Sequence, residues 1–67
     1  MNKIIKEKRK KIGLSQAQLA YLTDIPLSTI QAYEQGKRKI EGASIKNILS
    51  LERILKINLI EEIKKNH

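Results

Sequence analysis

Apolar residues along this chain recur at three- and four-residue spacings, a pattern that predicts helices and no strand. The first helix runs from about Asn2 to Ile12, where Ile4, Ile5, Lys8, Arg9 and Ile12 fall at helical spacing and the isoleucines share one face. A second opens after Ser15, a good N-cap, and carries Leu19, Ala20 and Leu22. Pro26 suits the first turn of a third helix, and Gly36 supplies its stop because glycine readily takes the left-handed conformation. Between these two helices Thr23-Asp24 leaves room only for a tight corner. A fourth helix extends from about Ser44, its cap, to Leu55, with apolar positions at Ile45, Ile48, Leu49, Leu51 and Leu55. A short fifth runs from about Asn58 to Lys65.

The expected fold is therefore all-α, a compact bundle of about five short helices forming a single domain over residues 1–67. Phenylalanine and tryptophan are absent, so branched aliphatics must build the core. A chain of 67 residues has a small core, marginally stable unless something staples it or a partner covers apolar surface. Cysteine is absent, which excludes a disulfide and a thiolate metal site and fits a reducing cytoplasm. The N-terminus is charged and lacks a long apolar run. Neither a signal peptide nor a transmembrane helix is expected, so the plain reading is a cytoplasmic protein with no membrane partner.

A formal charge of +7 and a pI near 9.9 favour a polyanionic partner, because phosphates neutralised by lysine and arginine release condensed counterions. The charge is unevenly placed. Lys3, Lys6, Lys8, Arg9, Lys10 and Lys11 crowd the first helix, Lys37, Arg38 and Lys39 follow the third, and Lys64 and Lys65 lie near the end. From Ile12 to Gly36 there is neither lysine nor arginine, and Asp24 and Glu34 are the only charges. A lysine-rich face that merely keeps a small protein soluble is the bland alternative.

The stretch Gly13 to Gly36, two short helices around a tight turn, has the form that seats one helix in a DNA groove. It carries Arg9 just upstream, Gly13-Leu14-Ser15-Gln16, Leu19-Ala20, Ile25, Ser28-Thr29-Ile30, Tyr33-Glu34 and Gly36-Lys37-Arg38. In these positions, and in a weaker apolar pattern to about Ile63, the chain resembles the DNA-binding domains of phage repressors, Cro proteins and Xre-like bacterial regulators. The resemblance implies a lambda repressor-like fold and a helix-turn-helix that binds double-stranded DNA. Two departures stand out. Asp24 occupies the turn position where the family usually has glycine, a place aspartate can fill at modest cost. After Lys37-Arg38-Lys39 the family often has proline, whereas this chain continues Ile40-Glu41-Gly42-Ala43, a longer connection.

If Ile30 and Tyr33 face inward, Leu27, Ser28, Gln31 and Ala32 fall on or near the outer face of the third helix. The family's base-contacting positions match Leu27, Ser28 and Ala32, with Gln31 adjacent. Leu27 and Ala32 offer only methyl packing on thymine, Ser28 donates or accepts, and Gln31 has the geometry to pair with adenine, so the face leans towards A·T-containing sites. Each has a plainer role open to it: Leu27 packed on the turn, Ser28 as a local cap, Gln31 simply solvated. Gln16, at the start of the second helix, matches a phosphate-gripping position, and Gln35 with Lys37, Arg38 and Lys39 matches a second phosphate clamp.

Arg9 and Glu34 match a structural ion pair that in the family ties the first helix to the third. Ala20 is small enough to let the two motif helices approach. Ile54, Ile57, Leu59, Ile60 and Ile63 supply more aliphatic surface than a minimal core requires, and the family commonly dimerises through its last helices. Ile57, Leu59, Ile60 and Ile63 are thus the candidate homodimer interface, or else they close the monomer's own core. No catalytic constellation, phosphate-cradling glycine loop or metal-ligand cluster appears, and the single histidine, His67, is the last residue. The expected function is that of a Cro- or Xre-like repressor, not an enzyme. It would bind a palindromic operator as a homodimer, with no cofactor and no small-molecule ligand. The alternative is an antitoxin or other protein-interaction module whose main partner is a protein.

Overall fold

The computed structural model describes residues 3–65, without the side chains of Glu62 and Lys65. Five α-helices succeed one another: α1 (Lys3–Ile12), α2 (Gln16–Thr23), α3 (Leu27–Gln35), α4 (Ile45–Leu55) and α5 (Leu59–Lys65). A 3₁₀ turn at Ile40–Gly42 sits between α3 and α4, and the described residues contain no strand. The expected all-α class and the number of helices are both found. Asn2 and His67 lie outside the described residues.

Local chemistry sets the helix ends. The Ser15 hydroxyl accepts the Gln18 N–H at 3.0 Å while the Gln18 carboxamide oxygen accepts the Ser15 N–H at 2.7 Å, a reciprocal capping box. Thr23 belongs to α2, not to the corner: it is buried and its hydroxyl donates to the Leu19 carbonyl at 2.7 Å. The corner is Asp24, left-handed at φ 58° and ψ 30°, followed by the buried Ile25. Pro26 stands one residue ahead of the expected place. It is the N-cap of α3, and its carbonyl accepts from the Thr29 and Ile30 N–H groups at 3.0 and 3.1 Å. Gly36 ends α3 at φ 77°, as its lack of a side chain allows.

The core joins every element: Ile5 of α1, Leu19 of α2, Ile30 and Tyr33 of α3, Ile40 of the 3₁₀ turn, Ile48, Leu51 and Leu55 of α4, and Leu59 of α5. Helix α4 is the pillar, packed on α1, α2 and α5, while α3 rests on α1 and α2. The connection that departs from the family pattern is pinned by Ile40, whose side chain is buried and whose carbonyl accepts the Ala43 N–H at 3.0 Å.

Four positions of the apolar helical pattern are exposed: Ile12, Leu22, Ile45 and Leu49. A helix turns about 100° per residue, so once Ile48, Leu51 and Leu55 define the inner face of α4, Leu49 lies well around the axis and Ile45 at its margin. Ile12 is the last residue of α1, whose buried positions are Ile5 and Arg9.

Candidate nucleic-acid interface

Helix α3 is locked from beneath by Ile30 and Tyr33, and the Tyr33 hydroxyl accepts a hydrogen bond from the Asn47 Nδ2 of α4 at 3.3 Å. That anchoring leaves Leu27 and Ser28 exposed at the start of the helix and Gln31 and Ala32 half-buried along its flank. Leu27 is 40% exposed, so it is not packed away against the turn, and the N-cap of α3 is Pro26, with Ser28 exposed in the first turn. The four residues share one side of one helix.

Past Gln35, which is exposed, the chain folds back on the helix end: the Lys37 and Arg38 N–H groups both donate to the Ala32 carbonyl, at 2.9 and 3.2 Å. The basic run Lys37-Arg38-Lys39 is therefore tied to α3 by its backbone while its side chains stand in solvent. Arg38 and Lys39 border a surface depression completed by Tyr33, Gly42, Ala43, Ser44 and Asn47. Sequence reasoning used Ser44 only as a cap and passed over Asn47; the i, i+3 pairing of the two at a helix start was the available signal.

Arg9 and Glu34 meet. Arg9 Nε donates to Glu34 Oε2 at 2.7 Å and Arg9 Nη2 to Glu34 Oε1 at 3.0 Å, a two-pronged pair whose side chains are 9% and 2% exposed. The remaining prong, Nη1, donates to the Leu14 carbonyl at 2.8 Å, so one guanidinium joins α1, the entry to α2, and α3. Gln16 joins this cluster: its Nε2 donates to Glu34 Oε1 at 3.0 Å. Burial pushes the Glu34 carboxyl up. The hydrogen bonds from Arg9 and Gln16 and the charges of Arg9 and Lys6 outweigh that, leaving it below the ordinary carboxylate value. Arg9 is raised, chiefly by the hydrogen bond to Glu34 against the opposing effect of burial.

The C-terminal candidates divide. Leu59 is fully buried in the chain's own core, because α5 folds back on α4 with that residue innermost, so it has no surface left for a partner. Ile54, Ile57 and Ile63 are partly buried against the core, and Ile60 is 38% exposed. Leu14, Ala17, Gln18, Tyr21 and Leu22 line an apolar depression over α2, where Tyr21 is 86% exposed.

A short α2–turn–α3 unit with an outward-facing second helix and a basic loop at its end defines a helix-turn-helix DNA-binding protein. The helix-turn-helix family profile matches residues 5–61, and the chain belongs to that family, in its Cro/C1-type, Xre-like branch of DNA-binding regulators. No curated protein and no solved structure matches the chain significantly.

Proposed function

We propose that this chain is a sequence-specific transcriptional repressor that occupies an approximately palindromic operator as a homodimer. The observation that carries the reading is α3 itself, with Leu27 and Ser28 turned to solvent and Gln31 and Ala32 on its flank, held rigid by Ile30 and Tyr33. Leu27 and Ala32 pack on thymine methyl groups, while Ser28 and Gln31 hydrogen-bond base edges and favour A·T pairs. Gln16, Gln35, Lys37, Arg38 and Lys39 contact phosphates on either side, and the depression between α3 and α4 gives Arg38 and Lys39 a place for one of them.

Ile57, Ile60 and Ile63 provide the apolar surface of the homodimer. One copy measures 30 × 21 × 20 Å, on the scale of the roughly 34 Å that separates half-sites one DNA turn apart. Selection from a random duplex pool at near-physiological salt tests the whole reading. Enrichment of an inverted repeat supports it; a folded protein that enriches nothing sinks it. A second reading, a module that binds a protein partner, is favoured by the apolar depression around Tyr21, and its signature is binding insensitive to added salt.

A further inference from the structure

The proposed phosphate contact at Gln16 rests on a side chain that is already engaged. Its nitrogen has two hydrogens, and one of them is given to Glu34 Oε1 at 3.0 Å. That oxygen also receives Arg9 Nη2 at 3.0 Å, and the other carboxylate oxygen receives Arg9 Nε at 2.7 Å. The carboxylate is thus fixed by the guanidinium, with its side chain 2% exposed, and it in turn fixes the carboxamide.

We propose that Glu34 is a positioning residue for DNA binding: the Arg9-anchored carboxylate holds the Gln16 carboxamide so that its second N–H faces a backbone phosphate. The inference rests on the reading of Gln16 as a phosphate contact. A carboxamide is planar, so engaging one N–H sets the direction of the other. A carboxylate neighbour also decides which end of the carboxamide lies beside it, because only the nitrogen end can donate. A free glutamine would search its rotamers and present its oxygen to the anion in part of them; the anchored one has spent that freedom on folding. Arg9 and Lys6 offset the negative charge of Glu34, so the anchor does not repel the phosphate it serves.

The test is a cycle of four proteins: the wild type, Q16A, the paired replacement R9M/E34M, and the combination of all three changes. Replacing both ion-pair partners by apolar residues of similar length avoids stranding a buried charge. Affinity is measured for a 20-base-pair duplex of arbitrary sequence, since a phosphate contact is blind to sequence. With Glu34 in place, Q16A weakens binding about tenfold, the loss of one charge-assisted hydrogen bond. In the R9M/E34M background the same change costs about threefold or less, because an unanchored glutamine binds less well to begin with. An equal cost in both backgrounds overturns the positioning role while leaving the Gln16 contact standing. Wild-type binding unchanged by Q16A overturns the contact itself, and failure of the wild type to bind any duplex overturns the DNA-binding reading. The wild type alone gives a second readout that no folding defect confounds: ¹⁵N relaxation of side-chain amides. The Gln16 side chain is expected to be as rigid as the backbone before DNA is added, and motion as free as that of the exposed Gln35 overturns the proposal.

Discussion

At the scale of single residues, the Arg9–Glu34 pair is where chemistry and architecture coincide. Arg9→Ala leaves a desolvated carboxylate with one uncharged donor and is expected to cost about 3–5 kcal/mol, read as the shift in a urea unfolding midpoint. The same pair fixes an acid limit. Because the Glu34 pKa is lowered in the folded chain, its stabilisation is complete above the ordinary value of 4.5 and is lost as the pH falls from there through the lowered value. Urea midpoints that stay flat between pH 6 and pH 3 in the wild type would contradict this. Residue roles at the interface separate by a different measurement. Arg38→Ala is expected to weaken binding to every sequence and to lower the salt slope by about 1, whereas Gln31→Ala changes site preference and leaves the slope unchanged. Much at this scale was legible in the sequence: Ile30 and Tyr33 follow from spacing together with the family resemblance, and Asp24 from its match to the family's turn glycine. The hydrogen bond from Gln16 to Glu34 spans 18 positions and two helices, and no local pattern encodes it.

At the scale of elements, end signals were read more reliably than faces. Ser15, Gly36 and Ser44 each announce a helix boundary through a side chain or its absence, and each sits within one residue of the observed end. Faces depend on which neighbours arrive. Ile45 and Leu49 look like core by spacing, and only the packing of α4 on α1, α2 and α5 decides which of its apolar residues turn inward. The caps carry measurable weight: Ser15→Ala removes one half of the capping box and is expected to lower stability by about 1 kcal/mol. Asp24 acts oppositely. Its left-handed backbone is natural to glycine, so Asp24→Gly is expected to be neutral or stabilising by up to about 1 kcal/mol, with α2 and α3 unchanged by circular dichroism.

At the scale of the whole molecule, stability depends on a handful of aliphatic side chains with no covalent staple. Leu51 is fully buried at the meeting of the helices, and Leu51→Ala is expected to cost about 2–5 kcal/mol, comparable with all that so small a core supplies. The expected result is a chain largely unfolded at 37 °C by circular dichroism, recovered by Leu51→Met. Of the surfaces, Ile60 is the most exposed C-terminal candidate, and Ile60→Asp is expected to turn the proposed dimer into a monomer in sedimentation without loss of helix.

Tyr21 and Tyr33 are the two tyrosines of a sequence without phenylalanine or tryptophan, and they occupy opposite extremes, 86% and 3% exposed. The molecule therefore carries two separately addressable optical labels. Tetranitromethane should nitrate Tyr21 and spare Tyr33 until the chain unfolds, and iodide should quench the emission of one phenol and leave the other. With tryptophan absent, nothing masks that signal. A single untagged sample can then report the α3–α4 contact through one ring and the occupancy of the α2 surface through the other.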